Sequence, residues 1–244
     1  GLCLAYLAHS MLFANNLARN GSEEQKQRVL PKVCSGEWIG AMAMSEPDIG
    51  TDVMSMSTSA VKDGDHWVIN GRKMWITNGC IDEEGTACDV VWTYACTGTD
   101  EQGRTEISTF PVQGEHPGFS SLVGEPGSSM LHMMRNLELE RLTLATQSLG
   151  IARRCLVEMN RYASEREAFG SQIRDFGQIQ RYIGDSYAEW RAMQSYIYDT
   201  ARKIDLDRAG NRLDSDGVKL LAAPLAKGIA DRAMQVMGGY GYVG

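Results

Sequence analysis

Glu140 is the residue here best placed by its neighbours to do acid–base chemistry. It lies in Leu137-Glu138-Leu139-Glu140-Arg141-Leu142, the opening of a long apolar-periodic run. At helical spacing Leu137, Glu140 and Leu144 fall on one stripe, and Leu142, Ala145, Leu149, Ala152, Leu156 and Met159 on another. A carboxylate held against apolar surface has its charged form disfavoured and its proton affinity raised, as a general base near neutral pH requires. The same residue on a solvated helix face would do nothing more than offset the helix dipole. The surrounding chain decides between these readings.

The elements that must position Glu140 come in three blocks. Residues 2–19 carry Leu4, Leu7, Ala8, Met11, Leu12 and Ala14 at helical spacing and stop at Asn20-Gly21. Ser22 with Gln25 three residues on is a capping-box signature for a second helix, with Pro31 near its end. From Trp38 the period changes. Residues 38–44, 67–70, 73–77, 89–94 and 106–111 are short β-branched and aromatic runs, divided by Asp63-Gly64-Asp65, Asn70-Gly71 and Asn78-Gly79. They predict an antiparallel β domain with a hairpin turning at Asn70-Gly71, since no helix-length segment parts the strands. From Met130 three long amphipathic helices follow. The first reaches about Ala163, the second carries Ile179 to Ile204, and the third begins near Asp214 or Ser215. They predict an antiparallel bundle. The fold class is therefore α+β and multidomain, with a helical segment over 1–37, a β domain over 38–127 and a helical bundle over 128–244.

Composition narrows the function. The net charge of −7 argues against a nucleic-acid binder. No apolar run approaches the ~18 residues of a membrane span. The six cysteines form no CxxC pair and no metal-spaced cluster with histidine, so no metal site is expected and the thiols read as reduced and intracellular. The thirteen methionines read as flexible core filler. The N-terminus resembles the inside of a helix more than a targeting peptide. The tail Gly238-Gly239-Tyr240-Gly241 follows a helix, so its glycines either end that helix or expose backbone amides to a ligand.

Four stretches, in order, resemble the acyl-CoA dehydrogenase family. Ala43-Met44-Ser45-Glu46-Pro47-Asp48-Ile49-Gly50-Thr51-Asp52, entered through Met42, resembles its flavin-binding signature. Trp75-Ile76-Thr77-Asn78-Gly79 resembles the strand that lies against the isoalloxazine. Arg166-Glu167-Ala168-Phe169-Gly170 resembles the helical turn whose arginine reaches the FAD pyrophosphate of a neighbouring subunit. Gln235-Val236-Met237-Gly238-Gly239 resembles the segment that contacts the adenine half of that FAD. Each has a physical basis. Gly50-Thr51 lets backbone approach a ring and a diphosphate, and Trp75 either stacks on the flavin or fills core. Ser45 and Thr77 offer hydroxyls to the ring or to local backbone, and a guanidinium suits a pyrophosphate.

The resemblance implies FAD as cofactor and α,β-dehydrogenation of an acyl-CoA thioester. In the branch that acts on isovaleryl and long-chain groups the base lies on the first long helix of the bundle, in a Leu-x-x-Glu-Arg-Leu pattern. This nominates Glu140, with Glu138 and Arg141 toward the CoA. The isovaleryl type further nominates Leu4 and Ala8, alternatively plain helix core, with Thr51 and Leu131, as walls around a branched acyl chain. The implied partners are an electron-transferring flavoprotein and further copies of the chain, at least a dimer and in the family a homotetramer. Leucine catabolism or fatty acid oxidation would be the setting, in the mitochondrial matrix of a eukaryote or the cytoplasm of a bacterium. Another acyl group, or flavin binding without catalysis, is the alternative. The chain departs from the family pattern at Thr51, Leu131 and Gly177, in a long Cys80–Cys88 stretch, and after Ser121, where the family has further strands. The family pattern also extends past both ends of the chain and places there the loop that completes the carbonyl-binding site.

Overall fold

The computed structural model describes residues 2–113, 122–205, 210 and 212–243, so the expected gap after Ser121 lies outside the described residues. The chain divides into two compact units, Gly1–Leu137 and Glu138–Gly244.

In the first unit, α1 (Leu2–Leu7) runs through a π-helical segment (Ala8–Ala14) into α2 (Asn15–Asn20). The expected helix over 2–19 is thus continuous but widened in its middle. The capping box forms at the head of α3 (Glu23–Ser35), with Gln25 N donating to Ser22 Oγ at 3.2 Å and Ser22 N to Gln25 Oε1 at 2.9 Å.

The strands are β1 (Gly40–Ala43), β2 (Ser59–Asp63), β3 (His66–Asn70), β4 (Val90–Thr99) and β5 (Thr105–Gln113). β5 runs antiparallel along β4, while β1 lies parallel to the first half of β4 and β2 meets its second half through Ser59 and Cys96, also parallel. The sheet is therefore mixed, not wholly antiparallel. Parallel pairing needs a long crossover, and residues 44–89 supply one with no α-helix, only a short 3-10 turn at Val53–Ser55. Trp92, Tyr94 and Val90 of β4 pack on one side with Phe13, Leu17, Val29 and Val33, Phe13 standing edge-on to Trp92 at 6.0 Å. Ala95 of β4 joins Ala60 and Phe110 on the other. A strand buried on both faces needs a largely apolar run, which β4 supplies from Val90 to Cys96 with Thr93 as its one polar member.

The hairpin differs from expectation. It pairs β2 with β3 and turns at Gly64-Asp65, with Gly64 at φ 58. Asn70-Gly71 is a close crossing: a Cβ on Gly71 would sit 2.3 Å from Thr58 Oγ1. Residues 73–77 form no strand, because Lys73 and Met74 are drawn to Glu46 and Ser45 instead.

In the second unit α4 (Ser129–Glu165, whose first turns belong to the first unit), α5 (Gly177–Lys203) and α6 (Arg212–Met237) bury their stripes together. Ala145, Leu149 and Ala152 meet Met193, Ile197, Val218, Ala222 and Ile229, and Met159 and Ala163 meet Ile173, Ala233 and Val236. No helix among the described residues is long and apolar enough to cross a membrane.

Candidate functional site

In the first unit, β1 delivers Met42 and buried Ala43 to a loop that is organised around a buried carboxylate. Glu46 closes a tight turn with Ile49 and accepts from Ser57 N at 2.7 Å, Ser57 Oγ at 2.6 Å and Thr58 N at 2.9 Å. Lys73 Nζ donates to its Oε1 at 2.9 Å and to Met44 O at 3.0 Å. Burial alone would raise the Glu46 carboxyl, but the bonds from Lys73, Ser57 and Thr58 win and hold it well below its ordinary 4.5. Burial pulls the Lys73 ammonium down, against the opposing pull of Glu46. Met74 N donates to Ser45 O at 2.9 Å, so the loop after β1 and the segment before Trp75 are stitched side by side.

This stitching leaves Gly50, Thr51, Trp75 and Thr77 outward, whereas Ala43 is buried, Ser45 is half-buried, and Met42 and Met44 pack against the core of the first unit. Gly50 and Thr51 are exposed, and open space surrounds Gly50 where a Cβ would be. Trp75 is 85% exposed at φ 61, a left-handed conformation strained for a bulky residue. A core tryptophan would be covered; an indole held open at a strained turn has a free face for a flat ring. Ile76 is half-buried and Thr77 exposed beside it. Of the acyl-side residues, Ala8 is buried, while Leu4 is 52% and Leu131 51% exposed.

In the second unit, Glu140 is half-buried, as is Leu144 after it. Burial raises its carboxyl above the ordinary 4.5, and the Arg141 guanidinium pulls weakly the other way. Arg141 NH1 reaches Asp216 Oδ1 of α6 at 2.9 Å. Glu138 is buried, so neither neighbour stands free on the surface as a simple solvated charge would.

Arg166 closes the last turn of α4, its N–H donating to Tyr162 O at 2.9 Å. From it the chain enters a minimal hairpin of β6 (Glu167–Ala168) and β7 (Ser171–Gln172), whose turn residues Phe169 and Gly170 lie at φ 50 and φ 79. Two left-handed turn residues are what a two-residue hairpin loop demands. They present Phe169 99% exposed, edge-on to Phe176 at 6.2 Å. Arg166 lines a cavity of about 440 Å³ with Tyr162, Val236, Gly238, Gly239 and Tyr240. Gly238, at φ 56, breaks α6 from the short α7 (Gly239–Tyr242) and faces open space. A guanidinium, two glycines and aromatic walls around such a cavity suit the ADP half of a dinucleotide. The nominated Arg166, Val236, Gly238 and Gly239 are thus gathered; Gln235 is exposed nearby, and its carbonyl accepts from Gly238 N at 3.2 Å.

Glu46 and Lys73 carry this architecture and were not singled out by residue spacing. They are far apart in sequence, and a side-chain pair at that distance leaves no periodic trace. An acidic residue buried in a Ser-Glu-Pro turn is the only sequence signal.

Three family models match along the chain: Acyl-CoA dehydrogenase, N-terminal domain, over residues 1–37, its middle domain over 41–141, and its C-terminal domain over 130–244. The chain is 37% identical over 268 residues to the mitochondrial isovaleryl-CoA dehydrogenase of Oryza sativa subsp. japonica, covering 98% of this chain and 64% of that protein. It is 34% identical over 270 residues to the mitochondrial 2-methylacyl-CoA dehydrogenase of Solanum tuberosum, covering 99% of this chain and 64% of that one. The solved butyryl-CoA dehydrogenase of Megasphaera elsdenii superposes with a TM-score of 0.87 at 28% identity, over 98% of this chain and 68% of that chain. The chain thus spans 64% of the length of each of the two curated relatives. Both alignments exceed the 244 residues present, so those relatives carry residues without a counterpart here.

Proposed function

We propose, on the premise that this chain belongs to the acyl-CoA dehydrogenase family of FAD-dependent oxidoreductases, that it dehydrogenates a short branched-chain acyl-CoA thioester of the isovaleryl kind. Glu140 carries this reading. It is a half-buried carboxylate with raised proton affinity in the Leu-x-x-Glu-Arg-Leu pattern. In its ionised form it takes the α-proton of the thioester. Desolvation makes it a stronger base than a surface glutamate. When bound, FAD supplies the two-electron acceptor for the β-carbon's hydride. Met42 to Ser45, Gly50, Thr51 and Trp75 to Thr77 hold the flavin ring. Arg166, Phe169, Gln235, Val236, Gly238 and Gly239 hold the ADP half, and Leu4, Ala8, Thr51 and Leu131 wall the acyl chain. Glu138 and Arg141 stand toward the CoA. Three domains, 1–37, 38–127 and 128–244, share these tasks.

The same reading takes an electron-transferring flavoprotein as the electron acceptor and a homotetramer as the working form. It places the protein in the mitochondrial matrix of a eukaryote or the cytoplasm of a bacterium. The 2-methylacyl-CoA relative favours a second reading on the same chemistry, in which the acyl branch sits at the α-carbon. Mass spectrometry of the CoA product tests both. Isovaleryl-CoA losing two hydrogens supports the first, preferential loss from 2-methylbutyryl-CoA supports the second, and no loss from either removes the short branched-chain assignment.

Two further results are expected. The rate of flavin reduction should fall as pH drops through the Glu140 value, with a midpoint above 4.5, because only the ionised base works. Since the folded state binds that proton more tightly than the unfolded chain, Glu140 itself adds stability below 4.5 and loses it as pH rises through its folded value. A pH–rate profile flat from neutrality down to 4.5 would contradict this. Arg166→Ala should weaken FAD retention by about 10- to 150-fold, the worth of a charged hydrogen bond of ~1.5–3 kcal/mol. Titration of the apoprotein with FAD, followed by flavin fluorescence, reads that loss.

A further inference from the structure

One side chain joins the turn that carries Trp75 to the helix that carries Leu4. Asn78 Nδ2 donates to Ala5 O in α1 at 2.9 Å and to Gly40 O at the head of β1 at 3.3 Å. The backbone of Asn78 lies at φ 64, a region that asparagine tolerates better than most residues, and Gly79 N closes the turn on Ile76 O at 3.0 Å. Asparagine is suited to this place. Its amide nitrogen carries two hydrogens on a short arm, so it can serve two carbonyls at once.

The other polar group of Gly40 is held from the helix. Gly40 N donates to His9 Nδ1 at 3.1 Å, and His9 Nε2 lies 3.1 Å from Val33 O in α3. Because Nδ1 accepts, Nε2 must carry the proton and donate to Val33. Gly40 also has no room for a side chain, since a Cβ there would meet Phe13 Cγ at 2.6 Å. Helix, strand and turn are thus locked at one glycine, by His9 from the helix side and Asn78 from the turn side. Ala5 lies next to Leu4 and one turn before the π-helical segment that opens with Ala8. Widened helical turns of this kind occur often at functional sites.

We propose that Asn78 is a positioning residue that sets the acyl-side turn, Leu4 to Ala8, against the flavin-side turn, Trp75 to Thr77, and thereby tunes which acyl chains are accepted. This rests on the reading above, in which those two turns border the acyl chain and the flavin. Small displacements suffice, because misplacing a reacting group by 1 Å costs about 10²-fold in rate.

The test uses the FAD-loaded full chain, its Asn78→Gly variant, which keeps the left-handed backbone and deletes the amide, and Asn78→Asp, which sets carboxylate oxygens against two carbonyls. The readouts are the ratio of kcat/KM for isovaleryl-CoA over butyryl-CoA and the hydrogen exchange of the amides of residues 4–9. In both variants flavin should remain bound and those amides should exchange about three- to tenfold faster, the effect of one lost hydrogen bond. The ratio should shift by about tenfold, the scale of one methylene's worth of discrimination. An unchanged ratio overturns the proposal even if exchange quickens, since Asn78 would then be structural only. Unchanged exchange overturns it, and so does loss of flavin from both variants, which would make Asn78 a folding residue. A wild-type flavin that no acyl-CoA reduces would instead fail the functional reading, an outcome separate from all of these.

Discussion

Glu140→Gln is expected to keep its flavin and lose about 10²–10⁴-fold in the rate of flavin reduction by acyl-CoA, the usual contribution of a positioned general base. The amide nearly matches the carboxyl in size, so the half-buried site on α4 stays filled, but it cannot accept a proton. Burial disfavours the charged form of Glu140, and the neutral amide relieves that penalty, so thermal stability should hold or rise near neutral pH. Lost turnover with undiminished stability separates a base from a structural carboxylate. Stopped-flow absorbance at the flavin band reads the first, and a melting curve the second. Undiminished reduction in the variant would remove Glu140 from the reaction.

The largest stability effect is expected at the far end of the first unit's loop system. Glu46→Ala removes a carboxylate that is 3% exposed and accepts four hydrogen bonds. It leaves the Lys73 ammonium, with its side chain 11% exposed, without its counter-charge, and two backbone amides without their acceptor. Breaking a buried pair from one side costs about 3–5 kcal/mol. The shift in urea midpoint should reflect that loss, and adding Lys73→Met should restore part of it, because the stranded charge is then gone. The pH dependence follows the same sign. The native carboxyl lies below its ordinary 4.5, so the unfolded chain binds more protons and stability rises with pH. The Glu46 contribution is complete above 4.5 and fades as pH falls from there toward the native value. Glu46→Ala should therefore unfold with a shallower acid dependence than the parent chain.

Helical periodicity reached most of the fold because burial follows it: Ala145, Leu149, Ala152 and Met159 are covered as their stripe requires. The Ser22–Gln25 box was equally readable, since both of its bonds lie within one helical turn. Pairing between distant segments was not. Asn70-Gly71 and Gly64-Asp65 both have turn chemistry, and only the contact with Thr58 shows that Gly71 serves a crossing. The parallel register of β1 on β4 likewise depends on a long connection with no helical pattern to announce it. The hairpin after Arg166 has strands of two residues, too short for any period.

The site divides in the same way. Spacing placed Glu140 on a leucine stripe and left its role open, resemblance nominated it as the base, and the structure shows it half-buried on α4 with its proton affinity raised by burial. Arg166 and Gly238 came from resemblance, and the cavity they share adds a geometry that spacing does not contain. Glu46 and Asn78 stand in stretches that carry the resemblance, but neither spacing nor resemblance shows the Glu46–Lys73 pair or the Asn78 bridge, because their partners lie far along the chain.

Anaerobic addition of isovaleryl-CoA to the FAD-loaded protein, followed at the flavin absorbance band, tests the central claim most directly. The flavin should bleach within the wild-type dead time to seconds and stay yellow over the same interval in Glu140→Gln. A wild-type protein that holds FAD and stays yellow with every acyl-CoA, or a variant that bleaches as fast as wild type, would contradict it.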